Sequence, residues 1–143
     1  YIVGKDDLFT KFLKKQIKIK TIEIPGSGKY SIQPISINDV VKIIFQSFNE
    51  IKFKNKICDL VGPDYLTFEQ YVKLFCKGSK IKIKKINLET AYYDAINNKN
   101  SNFGIDDLNI LVGDFKGNYN QLEKITQIKF ESVVELLKSG RLL

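Results

Sequence analysis

The chain has 143 residues, of which 43% are hydrophobic and 12% aromatic, so it can bury the core of one domain and does not resemble a disordered chain. Its net charge of +7 comes almost wholly from lysine, and it contains no histidine, which removes the most common general base and metal ligand. No apolar run approaches about 20 residues, so the sequence predicts no membrane-spanning helix.

The lysines do not indicate a nucleic-acid site. Arg141 is the only arginine, whereas nucleic-acid-binding sites favour arginine for its bidentate contacts with bases and phosphates. Within residues 80–86 lysine alternates with isoleucine, the period of a half-buried strand with one solvated face. We therefore expect a solvated basic surface, and a small basic nucleic-acid-binding module is the weaker alternative.

The cysteines indicate the cellular compartment, and the first residues indicate whether the chain is part of a longer protein. Cys58 and Cys76 form neither a disulfide framework nor a zinc-binding spacing, so we expect reduced thiols and a cytoplasmic protein. The first residues lack the basic and apolar regions of a secretion signal, and position 1 is not methionine. We expect that the chain begins inside a longer protein or has lost its front part.

The first part of the chain alternates extended and helical segments. Residues 1–3 form a short apolar run that ends at Gly4, as a buried parallel strand would. Asp6 or Asp7 can cap the helix that follows. The apolar face of that helix holds Leu8, Phe9, Phe12 and Leu13. Four residues predict an extended segment, namely Ile17, Ile19, Ile22 and Ile24, and residues 32–37 predict a second one, which Pro34 restricts to an edge.

Between these extended segments lies a sequence that resembles a phosphate-binding loop but lacks its spacing. Gly28 and Lys29 are followed by Tyr30, where the loop needs Ser or Thr, and Glu23 stands where its first Gly should be. Pro25, Gly26 and Gly28 instead predict a turn.

The rest of the chain continues the mixed pattern. Ser36 or Asn38 can cap a helix through Phe48, and we expect its packed stripe to consist of Val40, Val41, Ile44, Phe45 and Phe48. Residues 57–61 predict a strand closed by Gly62 and Pro63, and Thr67 caps the next helix. A strand at 81–86, helices near 88–96 and 105–112, and two closing segments at 122–125 and 132–138 follow.

No catalytic set is found in the sequence. Tyr92 and Tyr93 do not form the Tyr-x-x-x-Lys spacing with Lys99 that lets a reductase activate a phenol. The adjacent pairs Asp6–Asp7 and Asp106–Asp107 point apart on a helix, and helix capping explains them better. We therefore expect no catalytic, metal-binding or cofactor-binding residues in this chain.

Two motifs carry a family resemblance. Residues 33–41, QPISINDVV, resemble the Gln-Pro-Val-x-Val-x-Asp-Val-Ala segment of extended or atypical short-chain dehydrogenases/reductases of the NAD(P)-dependent epimerase/dehydratase type. Residues 57–68, ICDLVGPDYLTF, resemble the strand, Gly-Pro and Leu-Thr-Phe sequence of the same family. The chain is most similar to the C-terminal part of that family, in the branch of the 39-kDa-type accessory subunit of respiratory complex I.

The resemblance implies an α/β fold, the C-terminal part of a Rossmann-like NAD(P)-binding fold with a small α/β substrate domain. Residues 1–62 would supply the last sheet strands, a helix and an inserted hairpin, and residues 63–143 a substrate-facing subdomain. The half that binds NAD or NADP would lie upstream, so this chain alone would be catalytically incomplete. A non-catalytic scaffold or assembly protein is the alternative.

Ligands of α/β sheets bind beyond the carboxyl ends of the strands, and this rule gives the candidate substrate-binding residues. They are Gly4, Lys5, Asp6, Phe9, Gln33 and Ser36. We expect a small-molecule substrate, and Asp39 to have a structural role in its helix. An exposed sheet edge would also favour a homo-oligomer.

Overall fold

The computed structural model describes residues 1–142 and confirms a mixed α/β fold. Six short strands are present in it: β1 (Ile2–Val3), β2 (Thr21–Pro25), β3 (Ser31–Ile32), β4 (Ile35–Ser36), β5 (Leu66–Thr67) and β6 (Lys82–Ile86). Seven α-helices accompany them: α1 (Leu8–Lys18), α2 (Ile37–Asn49), α3 (Phe68–Phe75), α4 (Leu88–Asn97), α5 (Ile105–Leu111), α6 (Tyr119–Thr126) and α7 (Val133–Lys138). A short 3-10 helix, Ile51–Phe53, follows α2.

The strands form three two-stranded pairs. β1 lies parallel to β4, and β3 lies antiparallel to β5. The longest pair is parallel β2–β6, in register from Thr21 opposite Lys82 to Pro25 opposite Ile86. Two of these pairs connect residues before position 62 with residues after it, so the two predicted segments share hydrogen-bonded ladders.

The larger of two hydrophobic clusters in the described chain includes the buried side chains of β2. Ile22 and Ile24 of β2 are fully buried, and they belong to the same cluster as Phe68, Tyr71 and Phe75 of α3. Helices α1, α5 and α7 also contribute buried side chains to this cluster. The isoleucines of β6 pack against it while its lysines face solvent, which confirms the alternation predicted from the sequence.

Helix starts follow the predicted caps. The Asp7 carboxylate accepts the Thr10 backbone N–H at 2.8 Å and begins α1. Thr67 and Gln70 form a reciprocal capping box at α3, with both hydrogen bonds present at 3.1 and 2.8 Å. The turn before β3 is also confirmed, because Gly28 has a φ of +67°, a conformation that L-residues rarely adopt.

Two predicted extended segments differ from the structure. Ile17 lies inside α1 and Ile19 caps it, because the helical pattern that starts at Leu8 continues to Lys18, and the strand begins only at Thr21. Residues 57–61 form no strand, because no described strand pairs with them, and Ile57 is 93% exposed.

The helix predicted near residues 37–48 is present as α2, but its packed side was predicted incorrectly. Val40 is buried as expected, and Ile43 is buried with it, against Leu122 and Phe130. The rest of the predicted stripe faces outward. Phe45 is 71% exposed and Phe48 is 82% exposed, and Val41 and Ile44 are exposed beside them. Helix α2 therefore has one packed apolar side and one bare apolar side.

Gln33 holds two loops together from a buried position. Its Nε2 donates to the Gly62 carbonyl at 2.9 Å, and its Oε1 accepts the Gly117 backbone N–H at 2.9 Å. Gly62 allows this approach, because a Cβ there would collide with the Pro34 carbonyl oxygen. The Gln33 side chain thus satisfies one donor and one acceptor of the backbone that would otherwise lie unpaired.

We expect Gln33→Met, which keeps the shape but removes both hydrogen bonds, to lower the free energy of unfolding by about 2–5 kcal/mol, because each orphaned buried group costs about 1–3 kcal/mol. Urea denaturation measures the change. Gln121→Met on the exposed surface of α6 is the matched control and should change stability little. Equal stabilities of the two variants would contradict the buried role.

Glu69 makes two ion pairs, one within α3 to Lys73 and one to Lys85 of β6. Its carboxylate lies 2.8 Å from the Lys73 Nζ and 2.8 Å from the Lys85 Nζ. Hydrogen bonds from Lys73 and then Lys85 lower the pKa of Glu69 from 4.5 to about 2. A lowered folded-state pKa means that this stabilisation is present above pH 4.5 and is lost as the pH falls toward 2.

We therefore expect Glu69→Gln to flatten the loss of stability between pH 4.5 and pH 2. Thermal denaturation at a series of pH values measures the slope. Glu89→Gln changes the same charge at an exposed residue that makes no ion pair within residues 1–142, and it should leave the slope unchanged. A slope in Glu69→Gln as steep as in the unaltered chain would contradict the two ion pairs.

Candidate functional site

The candidate site lies where two parallel strands end. Because β1 and β4 are parallel, their carboxyl ends meet at one edge, where the residues after Val3 face the first residues of α2. A cavity of about 620 Å³ opens there. Four of the sequence-predicted residues line it: Gly4, Lys5, Asp6 and Ser36. The structure therefore brings most of the predicted set together.

A polar cluster forms one wall of this cavity. The Ser36 hydroxyl donates to Glu131 Oε2 at 2.6 Å, and the Asn38 side-chain amide donates to the same oxygen at 3.2 Å. The hydrogen bond from Ser36, supported by Asn38 and by the positive charges of Lys42 and Arg141, lowers the pKa of Glu131. The carboxylate is therefore held ionised, and it acts as a fixed acceptor rather than as a proton donor.

Asp39 fixes the segment that carries Glu131. Its side chain is fully buried, and Oδ2 accepts the Glu131 backbone N–H at 2.7 Å. Its other oxygen accepts from Lys42 Nζ at 2.9 Å, and this hydrogen bond raises the pKa of Lys42. Asp39 thus ties the first turn of α2 to the chain just before α7, a structural role that agrees with the prediction but reaches beyond its own helix.

Another part of the cavity wall consists of the backbone at Gly4 and of charged side chains. The Gly4 backbone N–H donates to Asp7 Oδ2 at 3.0 Å, which places the loop after β1 against the start of α1. A Cβ at Gly4 would lie 2.9 Å from the Ile37 side chain, so a larger residue there would require Ile37 to move. Lys5 and Arg141 add positive charge to a lining that also holds the carboxylates of Asp6 and Glu131.

The site can hold a polar ligand, and its side chains do not form a set for proton transfer. Serine, asparagine and an ionised carboxylate offer hydrogen bonds to hydroxyl or amide groups, and Lys5 and Arg141 can bind a negative group. Ser36 donates to the Glu131 carboxylate, and because the pKa of Glu131 is lowered, this carboxylate is a weak base toward the serine hydroxyl. These residues can bind and orient a polar ligand.

Two predicted site residues lie elsewhere. Gln33 is 2% exposed and is occupied at both ends by the Gly62 and Gly117 backbone. Phe9 points to a separate cavity beside Phe12 and Phe103. Both belong to segments that flank the strand ends, but strand residues alternate between faces and Phe9 lies on the core side of α1, so sequence proximity did not place them in the site.

Sequence reasoning missed four polar residues of the cavity lining: Asp7, Asn38, Glu131 and Arg141. Asn38 was considered only as a helix cap. Glu131 meets Ser36 across 95 positions of the chain, and nothing local to the sequence around it indicates that contact. The only arginine of the chain was the one signal available, because guanidinium groups favour carboxylate and phosphate partners.

Another cavity, of about 640 Å³, lies on a different face and is lined by Asp59, Tyr65 and Asn118. Its Asp59 carboxylate already accepts the Asn118 backbone N–H at 3.0 Å. No strand ends converge on it, and its carboxylate serves the loop itself, so we consider it a surface depression.

Within residues 1–142, no group of three or more His, Cys, Asp or Glu side chains is arranged to hold a metal ion. In the same range, no helix has both the length and the apolar character needed to cross a membrane.

Comparisons with known proteins define the class of fold. No protein-family model matches the chain. No curated protein matches it either. Among solved structures, the chain is similar to the X-ray structure of Pal from Bacillus thuringiensis, with a TM-score of 0.61 and 14% sequence identity. The similarity covers 96% of this chain and 41% of that one, so the chain spans less than half the length of the matched structure. At this identity the match shows a shared α/β fold.

We expect Asp39→Ala to lower the free energy of unfolding by about 1.5–3 kcal/mol, because it removes charge-assisted hydrogen bonds and leaves the Glu131 N–H unpaired. Asp39→Asn keeps an oxygen for that N–H and should cost less. Asp106→Ala, at an exposed carboxylate of α5, is the control. Chemical denaturation ranks the three variants, and an Asp39→Ala loss no larger than that of Asp106→Ala would contradict the tether.

Proposed function

We propose that this chain is the substrate-binding, C-terminal portion of an NAD(P)-dependent epimerase/dehydratase- or reductase-like protein, in which a Rossmann-like half that binds NAD or NADP precedes it. The chain would bind and orient a small-molecule substrate. The nicotinamide and the catalytic tyrosine would come from the preceding half, so turnover would require both parts.

The observation that carries the proposal is the bare apolar side of α2. Val41, Ile44, Phe45 and Phe48 face outward on one helix whose other side is well packed. Exposed apolar groups that form a continuous patch mark a surface that another element covers. Burial of a single large apolar side chain stabilises a contact by about 1.5–3 kcal/mol, so a patch of this kind is expected to have a partner.

The neighbouring strands support the same conclusion. The β1–β4 pair has two strands within the described residues, and α2 begins directly after β4. Parallel sheets are normally covered and extended on both sides, so a two-stranded parallel pair beside a bare helix is typical of the end of a larger sheet. The preceding half would supply the adjoining strands and cover α2.

The candidate cavity fits this arrangement. Open α/β sheets bind ligands beyond the carboxyl ends of their parallel strands. The cavity beside Gly4, Lys5 and Ser36 opens at that edge of β1 and β4. A substrate bound there would lie at the boundary with the proposed cofactor half, where a hydride could reach it.

The proposal is tested by comparing residues 1–143 with the protein produced from its own start codon. We expect NADH or NADPH to bind the longer protein and not residues 1–143, as measured by quenching of intrinsic fluorescence. The added sequence should contain a Gly-rich turn after a strand and a Tyr-x-x-x-Lys spacing. A longer protein that binds neither dinucleotide would overturn the proposal.

The α2 surface is tested in the same system. Residues 1–143 and the preceding region, produced as two polypeptides, should form a complex in gel filtration. Phe45→Lys with Phe48→Lys should abolish that complex, because two charges would be buried in an apolar contact. Tyr93→Lys with Ile96→Lys adds the same charge at exposed residues of α4 and is the matched control. Equal binding by both double variants would contradict α2 as the contact surface.

The other two interpretations give different results. A non-catalytic scaffold would bind the dinucleotide, or a partner through α2, and would lack the Tyr-x-x-x-Lys spacing. A nucleic-acid-binding module would bind DNA or RNA as residues 1–143 alone, with an affinity that falls steeply as salt rises. The ion pairs that the structure shows at Lys42, Lys52, Lys73, Lys84 and Lys85 reduce the charge available for such binding.

A further inference from the structure

Six exposed lysines lie at the far end of α1 from the candidate cavity. Helix α1 begins beside the cavity lined by Gly4 and Asp6, and it ends where the chain turns into β2. Strands β2 and β6 are parallel, with Thr21 opposite Lys82, and the Lys82 backbone N–H donates to the Lys20 carbonyl at 3.1 Å. The carboxyl end of α1 and the amino ends of both strands therefore meet. The exposed lysines at this place form what we call the basic edge: Lys15, Lys18, Lys20, Lys77, Lys80 and Lys82.

The turn between α3 and β6 carries two of these lysines. The Ser79 backbone N–H donates to the Cys76 carbonyl at 2.9 Å, and the Cys76 side chain is buried in the larger hydrophobic cluster. Residues 76–81 thus form a compact turn that is anchored in the core and leads directly into β6. Lys77 and Lys80 are exposed on this turn, next to the start of the strand.

No ion pair balances the charge of the basic edge within residues 1–142. Positions 8–22 and 70–88, which include all six lysines, contain no acidic residue. Glu23 and Glu69, which flank these segments, pair instead with lysines of α3 and of the later part of β6. Compensation of the helix dipole explains the two lysines in the last turn of α1, but not the four that lie outside any helix.

An apolar side chain is exposed among these lysines. Ile19, which directly precedes Lys20, is 59% exposed, and Ile17 and Ile81 are half-buried on the same two segments. Surfaces that lie on anionic membranes combine these two features, because the lysines attract the head groups and the apolar side chain enters the boundary with the acyl chains.

We propose that the basic edge binds the surface of a membrane that contains anionic lipids, with Ile19 inserted between the head groups. No hydrogen bond fixes these six ammonium groups within residues 1–142. A fluid array of anionic head groups requires no fixed donor geometry, whereas the planar, preorganised fork of arginine suits a structured anionic partner. Segments 15–20 and 77–82 contain neither arginine nor an aromatic side chain on which a base could stack, which disfavours nucleic acid.

Sedimentation of residues 1–143 with lipid vesicles tests the proposal. We expect binding to phosphatidylcholine vesicles that contain about 30% phosphatidylserine, little binding to phosphatidylcholine alone, and weaker binding as added salt screens the charges. No binding, or equal binding to the two kinds of vesicle, would overturn the proposal. Equal binding would indicate the bare apolar side of α2, which has no preference for anionic lipid.

Two triple variants of equal net charge locate the surface. Lys18→Gln with Lys20→Asn and Lys82→Gln should weaken binding about a hundredfold, because each lysine near an anionic surface contributes about fivefold. Asn suits the left-handed backbone of Lys20, whose φ is +59°, so this change should not strain the fold. The control, which should retain binding, changes three exposed lysines elsewhere to glutamine: Lys56, Lys124 and Lys129. Equal affinities of the two variants would contradict the basic edge as the binding surface.

The apolar contribution and the rival partner are tested in the same way. Ile19→Gln should weaken vesicle binding about tenfold, because it removes an aliphatic side chain from the lipid boundary. Leu8, which the sequence predicts on the packed side of α1, is 86% exposed at the other end of that helix, so Leu8→Gln is the matched control and should change nothing. Binding of single-stranded RNA that the three lysine substitutions abolish, in a chain that binds no vesicles, would show a nucleic-acid surface and overturn the proposal.

Discussion

The parallel ladder between β2 and β6 is the constraint on which the rest of the fold depends. A parallel pair cannot be closed by a tight turn, so the chain between Pro25 and Lys82 must leave the ladder and return to it. That connection contains β3, β4, α2, β5 and α3, and its return is fixed at close range. The Gly26 backbone N–H donates to the Ile86 carbonyl at 2.8 Å, and the Glu69 backbone N–H donates to the Gly28 carbonyl at 2.9 Å. Of the strand pair that bounds the candidate site, β4 is therefore part of this connection, and β1 joins it from before β2 in the chain.

The connection between β2 and β6 has two sides that pack differently. Toward the ladder, Phe68, Tyr71 and Phe75 of α3 fill the core. Away from it, α2 packs through Val40 and Ile43 and leaves Phe45 and Phe48 bare. A helix that is apolar on both sides is typical of an element between two packed layers. Only one of these layers belongs to the described chain, and this asymmetry gives the proposal of a preceding half its physical basis.

What could be predicted from the sequence was local. Caps at Asp7, Ser36 and Thr67 set helix starts because a side chain and the next backbone N–H groups lie within one turn of each other. The lysine–isoleucine alternation of β6 likewise depends only on the period of a strand. The packed side of α2 could not be predicted, because periodicity marks apolar residues without saying which neighbour covers them. The Gln33 bonds to Gly62 and Gly117, and the Glu131 contact with Ser36, join distant segments and have no local signature.

The two cavities differ because they are built from different parts of the fold. Where β1 and β4 end, backbone polar groups and the first turn of α2 converge, so the cavity gathers serine, asparagine and charged side chains. The other cavity lies between α1 and α5, two helices that both pack on the core, so its walls are mainly aromatic. Neither set contains a histidine, and the Ser36 hydroxyl lies beside Glu131, whose lowered pKa makes it a weak base. Under the proposed function, these residues would recognise the ligand, and bond-making at the strand ends would depend on groups from the preceding half.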